Sequence, residues 1–413
     1  MRNYRELTML KLVQVFFALL LLLSGCVNPE ELLSNPVLKG DVGQMQSDVV
    51  IGAALPLSGK FSQQGMEMLR GIEVAVGSLN SRRGIAGRRV RLEVADTKGT
   101  PDGAERAMTE LAGKKAVFVI GGYSTVETDG LIRNIDVLKV PLIIPCATAD
   151  GFSSVHPFVF RVSYTDTQQA EGLAAYLWYW RQIKRVGVLI DMRPESEYER
   201  NVARCVAQSF SDIGGEVVKT AEYTDIDSCV KAMREIMSFG PQAIMVPAIG
   251  EEAAMMVRAL RKLNYKGVIC GADGWDGIDF FTALGKNYDP GECFYVTFFS
   301  KEYPDDEFKA FSSDFRRKFY HDPGSRATVS RDAVMMASNC IGNAETIRDF
   351  RRNWLALQNF FGASSVINPR KSGDVDRLLF LNSAAPGGVS SDYPYPRLLR
   401  SFMHSKLETY RFD

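Results

Sequence analysis

Ser124 and Thr125 stand directly after an apolar run of strand length, 116–120, and before a stretch with helical spacing. Hydroxyl residues at that point are natural helix N-caps, and the unsatisfied N–H groups of a first turn can hold a carboxylate. Plain capping without a ligand uses the same pair, and which hydroxyl would face a ligand stays open. Asp273 has a comparable place in Cys270-Gly-Ala-Asp273-Gly-Trp275-Asp276, just beyond the run 268–270. In a desolvated cleft a carboxylate pairs strongly with an ammonium group, while Asp276 beside it suits a helix cap. An amide cluster and an acid, each beyond a strand, could grip a zwitterion at its two ends.

Other chemistry has little support. No GxSxG, HExxH, GxxxxGK[ST] or GxGxxG follows a strand, so nucleophilic, zinc-protease and nucleotide chemistries lack their motifs. His156, His321 and His404 are far apart, which argues against a His-rich metal centre, and no cofactor is implied. The aromatic run Tyr176-Leu-Trp178-Tyr179-Trp180 reads as packing rather than a sugar platform. The basic clusters 348–352 and 181–185 read as solvated helix faces.

Strand-length apolar runs recur at 49–55, 90–95, 116–120, 141–144, 186–190, 243–246, 268–270 and 294–298. Between them lie helix-period stretches at 66–79, 102–112, 126–138, 167–180, 199–213, 228–239 and 251–263. Such alternation predicts an α/β fold with largely parallel sheets and right-handed crossovers. It divides near residues 161–167, giving two similar series, and two lobes with a cleft between them are expected. Beyond about 298 the chain is mainly helical (307–320, 330–343, 345–361), ending in a strand-like patch at 378–381 and a Pro/Gly-rich tail. The chain has 413 residues, 46% hydrophobic and 24% charged, with 49 basic and 49 acidic side chains. Zero net charge gives no support to bulk nucleic-acid binding, and the composition excludes wholesale disorder and a polytopic membrane protein.

Arg2, Arg5 and Lys11 precede the apolar run 12–23, too short for a confident membrane span and suited to a signal-peptide core. Leu23-Ser24-Gly25-Cys26 follows and resembles a bacterial lipobox, so residues 1–25 are expected to be a leader and Cys26 to carry lipid. A plain secretory signal with an incidental cysteine is the alternative. Residues 26–47 read as a tether. Export permits disulfides among Cys146, Cys205, Cys229, Cys270, Cys293 and Cys340, but spacing does not choose a pairing, and buried free thiols are an equal reading.

The stretch 48–383 resembles the periplasmic binding proteins for branched-chain amino acids, receptors of ABC importers. Asp48-Val-Val-Ile-Gly-Ala-Ala-Leu-Pro-Leu-Ser-Gly59, Gln64-Gly65 with Arg70-Gly71-Ile72, and Asn80-Ser-Arg-Arg-Gly-Ile-Ala-Gly87 carry the likeness. So do Ile120-Gly121-Gly122-Tyr123-Ser124-Thr125 and Val140-Pro141-Leu-Ile-Ile-Pro145-Cys-Ala-Thr148. The resemblance implies a type I fold: two doubly wound Rossmann-like lobes joined by three hinge crossings. One lobe would take about 48–162 and 299–362, the other about 163–298 and 363–383, with 384–413 a tail.

It further implies that the Ser124–Thr125 loop binds a ligand α-carboxylate and that Ala147 and Thr148 meet its amino group and carboxylate. Tyr198 would cover the ligand, and Asp273 would be the acidic partner. Implied partners are a small amino acid-like ligand, an ABC permease, and the membrane through Cys26. The chain departs from the family pattern at several points. Cys146 replaces a frequent glycine, Glu199 takes the glycine after Tyr198, 246–250 lacks an aromatic, and Arg331 stands where tyrosine is usual. These changes bear on ligand choice more than on fold. A regulatory or scaffolding lipoprotein with the same fold would show Ile249 and Tyr123 filling the cleft, or Asp273 turned away. An exported enzyme would need a coupled base and nucleophile there.

Overall fold

The computed structural model describes residues 48–300, 306–385 and 388–390. The expected leader, Cys26, the tether and most of the C-terminal tail lie outside the described residues.

The first series runs β1 (Val49–Leu55), α1 (Ser62–Ser81), β2 (Val90–Asp96), α2 (Pro101–Gly113), β3 (Val119–Gly121), α3 (Thr125–Ile132), α4 (Ile135–Leu138), β4 (Leu142–Ile144), α5 (Phe152–Val155) and β5 (Val159–Arg161). The second runs α6 (Asp166–Ala175), β6 (Arg185–Asp191), α7 (Glu197–Asp212), β7 (Glu216–Tyr223), α8 (Ile226–Ser238), β8 (Ala243–Met245), α9 (Gly250–Lys262), β9 (Val268–Gly271), α10 (Ile278–Leu284) and β10 (Cys293–Thr297). Then come α11 (Asp306–Phe319), α12 (Ser325–Ile341), α13 (Ile347–Ala356), β11 (Phe360–Phe361), β12 (Val366–Pro369), β13 (Val375–Arg377), β14 (Phe380–Ala385) and β15 (Gly388–Ser390).

The first sheet has the order β2-β1-β3-β4-β5 and is parallel throughout. All seven residues of β1 are buried, as expected of a Val/Ile-rich strand covered on both faces by crossover helices. In the second sheet, β15-β14-β10-β9-β8-β6-β7, the stretch from β10 to β7 repeats that order in parallel, and β14 and β15 add antiparallel strands at one edge. This is a type I periplasmic binding protein fold. In each sheet the strand order reverses direction between two parallel neighbours, β1/β3 and β6/β8. Crevices open beyond the carboxyl ends of strands at such points.

Helix boundaries differ from expectation in places. The periodic stretch 126–138 forms two helices, because Asn134 leaves helical backbone angles and its amide donates to Glu105 Oε1 at 2.6 Å on α2. Val126–Leu138 periodicity survives such a break, since it reports the buried face and not continuity. The strand expected at 378–381 starts later, at Phe380, and runs to Ala385, pairing with β10. The aromatic run 176–180 forms a π-helical turn. Tyr176 packs edge-on to Phe294 (5.0 Å between rings), and Trp178 packs on Phe210 beneath Lys184. The basic clusters meet protein groups rather than solvent alone: Arg185 donates to the Phe239 and Gly240 carbonyls, Arg351 to those of Pro157 and Lys371. All six cysteines from Cys146 to Cys340 are free thiols, five of them buried.

After β10 the chain returns to the first sheet, where α12 lies across α1. Gly71 permits that approach, since a methyl there would sit 2.0 Å from the Ala327 carbonyl oxygen. The segment after α13 builds its own antiparallel sheet from β11, β12 and β13. Arg377 ends β13, where the chain leaves the small sheet for β14, and it binds three segments distant from one another in sequence. It donates to Val162 O (2.9 Å) after β5, Phe298 O (2.7 Å) after β10, and Ser364 Oγ (2.9 Å) after α13. The residue is 3% exposed, and burial pulls its guanidinium down to about 10. Nearby, Asp332 on α12 takes the amides of Ala363 (2.7 Å) and Ser364 (2.8 Å) and an ion pair from Arg331 (2.9 Å).

Replacing Arg377 by Met strands three buried acceptors while nearly conserving length. We expect a loss of about 3 kcal/mol or more of unfolding free energy, measured by urea denaturation. Asp332→Ala should cost about as much by taking one of the two carboxylates from Arg331 and leaving two amides unpaired. A change under about 0.5 kcal/mol, the size typical of a surface substitution, would show that these bonds do not hold the segments.

Candidate functional site

Ser124, Thr125, Ala147, Thr148, Tyr198 and Asp273, the six residues singled out from the sequence, line one cavity. Tyr123, Cys146, Ile249, Gly274, Phe298, Ser325 and Arg326 complete its wall. The first sheet supplies the loops after β3 and β4, and the second supplies α7, the loop before α9 and the turn after β9. Ile249, Tyr123 and Asp273 all line this space.

The loop after β3 is built by a turn and a cap. Gly122 has φ +92°, a backbone region open to glycine, and a methyl there would meet Thr128 Oγ1 at 2.6 Å. Ser124 then closes a capping box with Glu127: its Oγ accepts from the Glu127 amide (3.3 Å), and Glu127 Oε2 accepts from the amides of Tyr123 (2.9 Å) and Ser124 (3.4 Å). Glu127 also accepts from Thr97 and is fully buried, and burial pushes it up to about 7 against the pull of those donors. The Ser124-x-x-Glu127 spacing is the sequence signal for Glu127, a capping-box pattern not among the residues singled out above. Thr125 differs from its neighbour. It is 4% exposed, lines the cavity, and its Oγ1 has no hydrogen-bond partner. The pair left open by the sequence thus divides: Ser124 caps α3, and Thr125 carries an unpartnered hydroxyl.

On the loop after β4, the Ala147 carbonyl accepts from Ser163 Oγ (2.8 Å), and the Thr148 carbonyl accepts from the Asp166 amide (2.7 Å). Burial raises Asp166 to about 7, partly offset by the Thr148 hydroxyl. Across the cavity, Tyr198 donates its hydroxyl to Asp273 Oδ1 at 2.6 Å and accepts from the Gly274 amide at 3.0 Å. Burial pushes Asp273 up to about 6, while Tyr198 and the Arg326 charge pull it back. Burial also raises the Cys146 thiol, so it is no ready nucleophile. Arg331 does not reach the cavity. It pairs with Asp332 and Glu307, while Arg326, one and a half turns earlier on α12, lies in the wall. No motif singled out Arg326, because its partners are distant in sequence. Among the described residues no group of three or more His, Cys, Asp or Glu is placed to hold a metal.

The division between Ser124 and Thr125 is testable without a ligand. Ser124→Ala should cost about 1 kcal/mol through the lost cap. Thr125→Val should leave stability unchanged or slightly higher, since its hydroxyl has no partner to lose. Chemical denaturation of both variants reads the difference.

A family model described as periplasmic binding protein matches residues 48–351. A Leu/Ile/Val-binding protein homologue of Brucella melitensis is 26% identical over 266 residues, covering 62% of this chain and 70% of that protein. A Leu/Ile/Val-binding protein of Rhizobium johnstonii is 28% identical, covering 60% of this chain and 67% of its own length. The isoleucine complex of a branched-chain amino acid transporter binding protein from Streptococcus pneumoniae superposes with TM-score 0.74. It covers 83% of this chain and 98% of its own at 23% identity. With the matched model spanning both large sheets, the chain belongs to the periplasmic binding protein family.

Proposed function

We propose that this protein is an extracytoplasmic receptor that captures a small amino acid or related zwitterion between its two lobes and delivers it to an ABC importer. The two lobes correspond to the two large sheets with their helices. The observation that carries the reading is the pairing of opposite poles across one cavity. Thr125 presents an unpartnered hydroxyl at the first turn of α3, where amides and helix dipole favour a carboxylate. Asp273 faces the same space from the other lobe, steadied by Tyr198. A ligand held by both lobes favours their closed arrangement, and closure presents a joint surface to a permease. Leu/Ile/Val-binding relatives support the substrate class, and Leu23-Ser24-Gly25-Cys26 supports a lipid anchor on Cys26 at the membrane.

The test is calorimetric titration of the purified protein with the twenty amino acids. At least one should bind with micromolar or tighter affinity; silence across the panel overturns the reading. Asp273→Asn should weaken the bound ligand at least about thirtyfold, the size of a charge-assisted bond. The ammonium needs the ionised acid, and Asp273 sits at about 6. Affinity should therefore be highest above that pH and fall as pH drops through it. A flat profile between pH 5 and 8 would remove Asp273 from the ammonium site.

A further inference from the structure

Besides Asp273, the cavity wall holds one further charged side chain, which a neutral aliphatic amino acid would not use. Arg326, on the first turn of α12, is 6% exposed and lines the cavity. Its guanidinium lies over the Tyr123 ring, 5.5 Å from the centroid, and it donates to the Asp276 carbonyl oxygen and the Tyr123 hydroxyl. A guanidinium has five donors in a planar fork.

The carboxylates around it are otherwise engaged. The Glu67 carboxyl stands 4.0 Å from Nη1 and meets the Ala327 amide, at the outer limit of an ion pair. Asp276 accepts from the hydroxyls of Thr297 and Ser325, and Asp279 accepts from Gln64 Nε2 at 3.0 Å. These groups keep Arg326 charged: burial pulls it down, but Tyr123, Glu67, Asp276 and Asp279 outweigh that and hold it well above its ordinary value. None of them meets the fork in a two-oxygen pair among the described residues.

We propose that Arg326 is the residue that sets ligand choice, and that it selects an amino acid whose side chain ends in a carboxylate, of the aspartate or glutamate type. This deepens the receptor reading above and rests on it. The cavity wall offers one anion, Asp273, for an ammonium, and two positive poles, the first turn of α3 and Arg326. A ligand with one ammonium and two carboxylates matches that pattern. An aliphatic side chain would press against the guanidinium, removing its hydration without replacing it. A carboxylate would restore it with charge-assisted bonds in the fork geometry that arginine favours.

Titration of the wild-type protein with L-glutamate, L-aspartate, L-leucine and L-isoleucine decides the matter. An acidic amino acid should bind at least about tenfold more tightly than either aliphatic one, as expected for a pocket whose polar group is otherwise left unpaired. In Arg326→Met, affinity for the acidic ligand should fall at least about thirtyfold while leucine binding holds or improves. Circular dichroism and a thermal melt check that the variant folds; if it does not, the wild-type ranking decides alone. Leucine or isoleucine binding as tightly as the acids overturns this inference and leaves the receptor reading standing. Binding of none of the amino acids overturns both.

Discussion

The arrangement of this molecule depends on one buried cation. Arg377 bonds a carbonyl or hydroxyl from each of three segments distant in sequence, after β5, after β10 and between β11 and β12. Its charge is costly to bury, as its lowered proton affinity reflects. The cost is offset only if all three segments lie where their oxygens meet the guanidinium. The bonds therefore fix the segments relative to one another. Asp332 anchors the third of these segments through two amides, so all three share a polar network. Directional bonds of this sort specify a geometry more narrowly than hydrophobic contact does.

That geometry decides what faces what across the cavity. The first sheet contributes the capped start of α3, and the second contributes the turn after β9. Neither set of groups makes a site alone: the Thr125 hydroxyl has no hydrogen-bond partner among the described residues, and Asp273 is met by Tyr198 and Gln169. The groups that hold the wall are distinct from those left free in it. Glu127 and Ser124 are consumed in shaping the loop, and Tyr198 is consumed in steadying Asp273. What remains available is the chemistry a ligand would use.

Arg326 shows how the same scaffold can carry a different preference. The helix α12 is anchored to α1 through the close approach at Gly71, which sets the depth of its first turn. A long cation placed there reaches the cavity, whereas Arg331 on the same helix turns to Glu307 and Asp332. Two arginines five residues apart lie on different faces of a helix, about 140° around from one another. One became part of the polar network and the other part of the cavity wall.

Much of this was legible from residue order. The alternation of Val/Ile runs with helix-period stretches is enough to give parallel α/β sheets, because a strand buried on both faces must be apolar throughout and its crossover helices must be amphipathic. The positions of Ser124, Thr125, Ala147, Thr148 and Asp273 just beyond strands followed from that alternation, since loops at carboxyl ends are where such sheets expose their backbone. What residue order left open was every relation between segments distant in sequence. It did not separate the capping Ser124 from the unpartnered Thr125, because both suit a helix start and only the packed loop shows which hydroxyl is spent. Nor did it single out Arg326 or Arg377, since an arginine has no periodicity that reveals what it will be buried against. Those assignments belong to tertiary structure, where the cost of burying a charge is settled by whichever oxygens the fold brings within reach.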